Sequence, residues 1–293
     1  MSIQHPIIAV TGSSGAGTTT VKRAFEHIFQ RMSLSPLIIE GDSFHRYDRA
    51  EMKKMTTTAE REGKTFSHFG PEANLFGELE RQFQEYAETG SCVRRYYLHN
   101  AEEAAPWGKK PGEFTEWKHI PPGTDLLFYE GLHGAVVADG VDVARHVDLK
   151  VGVVPIVNLE WIQKIHRDTA ERGYSTEAVT HTILRRMHDY VHYITPQFSR
   201  TDLNFQRIPL VDTSNPFITR DIPTPDESMV IIRFHRQNLR AQNFPYLLSM
   251  IHGSFMSRPN NLVIPGGKMG MAMEIILTPL IEQMIEKRNK PRL

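Results

Sequence analysis

A chain of 293 residues, 40% of them hydrophobic, is long enough to bury a sizeable core as one large domain or two small ones. Lysine plus arginine equals aspartate plus glutamate at 34 each, so the formal net charge is zero, which argues against nucleic acid or a membrane surface as partner, since both need a basic excess. A single cysteine, Cys92, excludes an internal disulfide and a cysteine-rich zinc site; with no apolar run near the ~20 residues of a membrane span and no signal-peptide pattern at the start, a cytoplasmic setting is expected.

The first element is an apolar run at 7–10 that enters "TGSSGAGTTT". Gly12 and Gly17 keep the spacing of the phosphate-binding pattern G-x-x-x-x-G-K-[ST] and Thr19 keeps its hydroxyl, but Thr18 stands where the lysine belongs. Helical spacing over 19–32 follows, so free N–H groups and the helix dipole favour an anion at this loop. Further runs at 37–39, 126–129, 149–154, 208–211 and 229–234, with a weaker one at 262–265, have the length of buried strands. Helical spacing covers 72–88 and the stretch from 157. Such alternation predicts an α/β fold with a mostly parallel sheet covered by helices on both faces. The Pro- and Gly-rich stretches 104–117 and 120–125 read as loops inside one domain spanning 1–293.

Phosphoryl transfer needs carboxylates and positive charge besides a phosphate cradle. Asp42 lies just past the second run, in "EGDSFHR", and Glu130 ends the third, in "FYEGLHG". In open α/β sheets the ligand crevice lies beyond the carboxyl ends of the strands, so a joint site is favoured over two turn caps. On a helix, Lys164, Arg167, Asp168 and Arg172 share one face. Two readings stand there: a solvated row of ion pairs, or a cationic lid in which Lys164 supplies the charge that Thr18 lacks. "HRD" at 166–168 lacks the asparagine of a protein-kinase catalytic loop. "PGGKMG" at 265–270 reads as the start of a helix, and the fourteen histidines form no H-E-x-x-H zinc pattern.

The blocks "GSSGAGTTT", "EGDSFHR", "FSHFGPEAN", "FYEGLHG", "VGVVPIVNLEWIQKIHRD", "ITPQFSRTDLNFQRIPLVDTSNPF" and "NFPYLLSMIHGS" resemble the bacterial type of phosphoribulokinase in the P-loop kinase superfamily, from residue 6 to about 285. The resemblance implies a P-loop kinase-like sheet with some antiparallel strands. It implies transfer of the γ-phosphoryl of ATP, with Mg²⁺, to O1 of ribulose 5-phosphate. Residues Gly12, Ser13, Ser14, Gly15, Ala16, Gly17, Thr18, Thr19 and Thr20 would then hold the nucleotide. Asp42 would be the general base, with Lys164 and Asp168 as further catalytic residues and Thr19, Glu130 and Asp168 at the metal. His45, Arg49, His99, His133, Arg167 and Arg172 would contact or border the phosphorylated sugar. The same resemblance implies NADH and AMP as effectors at Arg31, Arg233 and Arg258, and a homo-octamer. Arg185 and Arg186 also match family residues, with the active site and an interface both open as their place. A uridine kinase-like enzyme and an inactive nucleotide sensor are the competing readings.

Overall fold

The computed structural model describes residues 4–12, 18–154, 156–170, 173–219, 221–235 and 243–290, without the side chains of Thr18 and Thr19. The strands in chain order are β1 (Ile7–Gly12), β2 (Pro36–Glu40), β3 (Cys92–Arg94), β4 (Lys118–Ile120), β5 (Leu126–Gly131) and β6 (Val137–Ala138). They continue with β7 (Val141–Asp142), β8 (Leu149–Val154), β9 (Leu203–Pro209), β10 (Ser228–Phe234), β11 (Phe255–Arg258) and β12 (Asn261–Pro265). The helices are α1 (Thr18–Arg31), α2 (Arg49–Arg61), α3 (Phe76–Thr89), α4 (Ala101–Ala104), α5 (Val157–Ala170), α6 (Thr176–Asp189), α7 (Phe244–Met250) and α8 (Met269–Asn289). Two compact units share them.

The first unit holds the chain up to Val10, Pro36–Leu149 and Arg185–Gln197. Its strands lie in the order β1-β5-β2, and β2 runs parallel to β5 with Leu37 opposite Leu127 and Glu40 opposite Glu130. Ile7, Ala9, Leu37, Ile39, Leu127 and Tyr129 form one buried cluster with Leu79, Phe83 and Tyr86 of α3. Those α3 positions recur at three and four residues, which puts them on one helical stripe. Gly90, at φ 73, ends α3 and gives its N–H to the Tyr86 carbonyl; only glycine adopts that left-handed cap without strain. The helix starts later than its apolar spacing predicts, because Pro71–Ala73 form a separate 3₁₀ turn and Leu75, at φ −97 and ψ 61, is not helical. Two short antiparallel pairs, β3–β4 and β6–β7, flank stretches with no apolar run to announce them.

The second unit holds Thr11–Ser35, Lys150–Leu184 and the chain from Phe198 onward. Here the strand order is β8-β9-β10-β12-β11. β8 and β9 are parallel, whereas β9–β10, β10–β12 and β12–β11 are antiparallel. The α/β class holds, with antiparallel strands added beyond β9. Helix α8 buries Met269, Ala272, Met273, Ile276, Leu277 and Leu280, a helical repeat that packs beside α1 with its own buried Val21, Phe25 and Ile28. One expected strand is displaced. The apolar run 208–211 predicts a strand, yet β9 is Leu203–Pro209, and Leu210 and Val211 are exposed. Its buried half is Leu203, Asn204 and Phe205, and the polar Asn204 hides it from an apolar scan. Among the described residues no helix is long and apolar enough to cross a membrane.

Candidate active site

In the first unit, two glycines set where the acids lie. A Cβ on Gly41 would stand 2.9 Å from the Gly131 Cα and 2.5 Å from the Tyr129 hydroxyl. Only bare backbone allows the ends of β2 and β5 to meet this closely. Glu130 therefore faces Glu40 across the parallel pair, and Asp42 sits in the 3₁₀ turn Gly41–Phe44 immediately beyond.

Asp42 is surrounded by histidines. Its Oδ1 lies 3.3 Å from Nε2 of His45, and its Oδ2 lies 3.8 Å from Nε2 of His99. Its side chain stays 40% exposed. Desolvation alone would raise its pKa; the hydrogen bond and charge of His45, helped by His99 and His68, outweigh it and hold the carboxyl at about 2. His45 is buried, with Nδ1 2.9 Å from Oδ1 of Asn74 and its ring 4.8 Å from that of His68. Arg49 opens α2 behind the Asp48–Glu51 capping box and donates from Nη2 to the His99 carbonyl at 2.9 Å. Tyr97 lies beside both, its ring 4.9 Å from that of His99 and 6.0 Å from the Arg49 guanidinium carbon.

His133 differs. It is buried, packs its ring 4.7 Å from that of Phe76, and donates from Nε2 to the Phe69 carbonyl at 3.1 Å. Desolvation lowers its pKa to about 3, which keeps the ring neutral. Arg185 forms an ion pair with Glu60 of α2, and Arg186 lies over the Phe69 ring at 5.8 Å.

In the second unit, α5 turns Leu159, Ile162 and Ile165 inward, and Asp168 is buried on the same helix. Lys164 bonds Oδ2 of Asp168, while Arg167 Nε donates to its Oδ1 at 3.0 Å. Desolvation would raise the Asp168 pKa, but the bonds and charges of Lys164 and Arg167 bring it below the usual carboxylate range. A row of solvated surface pairs does not describe this cluster, since the Asp168 side chain is only 6% exposed. Gly12 ends β1, where a Cβ would lie 2.7 Å from the Val153 carbonyl oxygen. Thr20 is exposed on the first turn of α1. Ser13, Ser14, Gly15, Ala16, Gly17 and Arg172 lie outside the described residues, as do the side chains of Thr18 and Thr19.

Also in the second unit, Arg233 lines a cavity of about 640 Å³ with Asn204, Gln206, His235 and Asn261. Asn261 pairs with Arg233 on one side and with Arg258 on the other, so residues far apart in sequence share one rung of the sheet. Arg31 is elsewhere engaged, donating to Thr278 Oγ1 at 2.8 Å and pairing with Glu274 at 3.5 Å.

Residues 7–214 match the family model described as the phosphoribulokinase / uridine kinase family. The chain belongs to that family. It is 64% identical over 291 residues to the chromosomal phosphoribulokinase of Cupriavidus necator, covering 99% of each chain. It is 59% identical over 293 residues to phosphoribulokinase 2 of Cereibacter sphaeroides, covering 100% of each. The solved phosphoribulokinase from Rhodobacter spheroides aligns with a TM-score of 0.90 at 57% identity, over 99% of this chain and 100% of that one. The family's P-loop kinase fold thus accounts for the β1–loop–α1 start and for acids at the ends of β2 and β5. Sequence reasoning left His68, Asn74 and Tyr97 without roles; the blocks "FSHFGPEAN" and "RRYYLHN" contain them, but nothing local says that they converge on His45 and His99.

Proposed function

We infer that this chain is a phosphoribulokinase, transferring the γ-phosphoryl group of ATP to O1 of ribulose 5-phosphate and giving ribulose 1,5-bisphosphate and ADP. The observation that carries this is identity of 57% and 64% along almost the whole chain to proteins of that name. Match along the whole length also supports reading residues 1–293 as one phosphoribulokinase-like domain.

Asp42 acts as general base. Its carboxylate is ionised, partly open to solvent and fixed by His45, which suits removal of the O1 proton as that oxygen attacks phosphorus. Such assistance is typically worth ~10²–10⁴ in rate. Residues Gly12 to Thr20 cradle the ATP phosphates, and Lys164 replaces the absent loop lysine by placing its ammonium on the transferring group. Arg49, Arg167 and Arg172 hold the sugar phosphate, since guanidinium groups grip phosphate in a planar fork, with His99 beside the reacting hydroxyl.

Mg²⁺ fits the donors available. Among the described residues no cluster of three or more His, Cys, Asp or Glu side chains forms a cage, and Mg²⁺ characteristically uses one or two carboxylates with substrate phosphates and water. Thr19, Glu130 and Asp168 would hold it, and it would neutralise charge on the phosphates. Asp168, now bonded to Lys164 and Arg167, would offer its carboxylate to the metal.

NADH and AMP act as effectors through Arg31, Arg233 and Arg258 in a cytoplasmic homo-octamer. Sharing of Asn261 by Arg233 and Arg258 supports the pairing of those two. Arg233→Ala should cost most of the NADH response, couplings being typically ~1–3 kcal/mol, with basal turnover retained; a wild type indifferent to NADH and AMP would refute the regulation.

ATP consumption measured with ribulose 5-phosphate, ribose 5-phosphate and uridine tests the whole reading. Turnover should require ribulose 5-phosphate. Preference for uridine would move the chain to the nucleoside-kinase branch, and no turnover with any acceptor would make it a nucleotide sensor.

A further inference from the structure

The contacts around Asn74 fix a proton that the sequence leaves undetermined. Asn74 is 2% exposed, and its amide nitrogen donates to two carbonyl oxygens, those of His68 at 2.8 Å and Gly70 at 2.7 Å. Carbonyls only accept, so the amide must face them with its NH₂ group and cannot be turned round. Its Oδ1 then points at Nδ1 of His45, 2.9 Å away. The oxygen has no proton to give. Nδ1 of His45 therefore carries the hydrogen of that bond.

The other ring nitrogen faces Oδ1 of Asp42 at 3.3 Å. With its one proton on Nδ1, a neutral His45 would aim the Nε2 lone pair at an ionised carboxylate. With its proton on Nε2, it would aim the Nδ1 lone pair at the Asn74 oxygen. Only the imidazolium donates to both. The frame that holds these groups is backbone: Leu75 donates to the Phe44 carbonyl at 2.9 Å, Arg46 donates to the Ala73 carbonyl at 2.8 Å, and His45 and Asn74 form a β-bridge.

We propose that Asn74 is a positioning residue for the phosphoryl transfer: it fixes the proton on Nδ1 of His45, so that His45 meets Asp42 as an imidazolium and occupies Oδ1, while Oδ2, which has His99 Nε2 at 3.8 Å beside it, receives the substrate proton. This rests on the reading of Asp42 as the base. In the step, the O1–H bond breaks, its proton passes to Oδ2, and the O1 electron pair forms the new bond to phosphorus as the bond to ADP breaks. Nε2–H stays on His45 throughout, and Asp42 later returns its proton to solvent.

The surrounding charges decide how firmly the proton is held. Asp42 faces Nε2, His68 and Tyr97 lie against the ring, Arg95 donates to the His45 backbone carbonyl, and the neutral His133 is nearby. Desolvation and Arg95 disfavour the imidazolium, but the bonds to Asp42 and Asn74 outweigh them and raise the His45 pKa.

The test is the ¹⁵N spectrum of histidine-labelled full-length protein, with His45 assigned by its loss in His45→Gln. At pH 7 both His45 nitrogens should be protonated. A single proton resting on Nε2, with Nδ1 bare, overturns the proposal without any need for an Asn74 variant to fold. In Asn74→Ala, the His45 titration midpoint should fall by about one pH unit or more with loss of a hydrogen bond to a charged group. Turnover should drop about tenfold or more while KM for ribulose 5-phosphate holds, as expected of impaired base assistance. Unchanged kcat, or a rise confined to KM, sinks the positioning role. Failure of the base reading looks different: Asp42→Asn would then keep its activity while the wild-type spectrum still shows the doubly protonated ring.

Discussion

Asp42 in the first unit and Asp168 in the second are both acids held by cations, but the cations differ in kind. Asp42 has histidines around it, leaves its side chain 40% exposed and sits on a turn held by paired glycines. Asp168 has a lysine and an arginine on its two oxygens and is 6% exposed on a regular helix. Histidine is the side chain whose charge changes near neutral pH, and the bonds from Asp42 and Asn74 raise the pKa of His45, the partner of the first acid. Lysine and arginine serve as standing charges. The difference matches the roles proposed for them, a proton accepted at Asp42 and positive charge placed by Lys164.

The sharpest way to break this contrast is to remove the proton acceptor. Asp42→Asn keeps the shape, and kcat should fall by ~10²–10⁴ with little change in either KM. Steady-state kinetics with full activity would take Asp42 out of the base role. Lys164→Met tests the second cluster. Loss of a charge that acts on the transferring group should lower kcat by ~10²–10³, more than it weakens ATP binding measured by calorimetry. Weaker binding at unchanged kcat would instead put Lys164 in the nucleotide cradle.

A smaller effect is expected from the frame that presents Asp42. Gly131→Ala would force a Cβ to 2.7 Å from the Gly41 Cα, a backbone contact that cannot rotate away. Overpacking of this kind costs ~1–3 kcal/mol, so Tm should fall, and kcat should fall with it as Asp42 shifts. A variant with unchanged Tm and kcat would show that the close approach of β2 and β5 does not set the acid.

The smallest effect is on stability against pH. Asp42 has its pKa lowered from 3.8 to about 2, so its contribution is complete above 3.8 and is lost as pH falls through 2. His45 has its pKa raised above 6.5, so its contribution is complete below 6.5 and is lost as pH climbs through the raised value. The difference in Tm between wild type and His45→Gln should therefore be widest between pH 3.8 and 6.5 and shrink on both sides. A difference that is flat with pH would mean that the pair carries no charge coupling.

Much of this protein is written locally. Apolar runs announce β1, β2, β5, β8, β10 and β12, and in β1 and most of β5 the run is continuous because the strand is buried on both faces. Asp42 and Glu130 are legible for the same reason, since each directly follows such a run and the open end of a sheet is where ligands bind. Lys164, Arg167 and Asp168 fall on one face by helical spacing alone. What the tertiary structure decided are the matters that depend on long-range partners. β9 lies upstream of its apolar run because its register is set by β8 and β10. Arg233 and Arg258 share a rung only because β12 inserts between β10 and β11. The burial of Asp168 turns an apparent surface pair into an internal one. Above all, the proton on His45 is settled by Asn74, 29 residues away, whose amide is oriented by two backbone carbonyls. Spacing along a chain reports which face a residue occupies; the direction of a hydrogen bond depends on what stands opposite, and only the folded backbone supplies that.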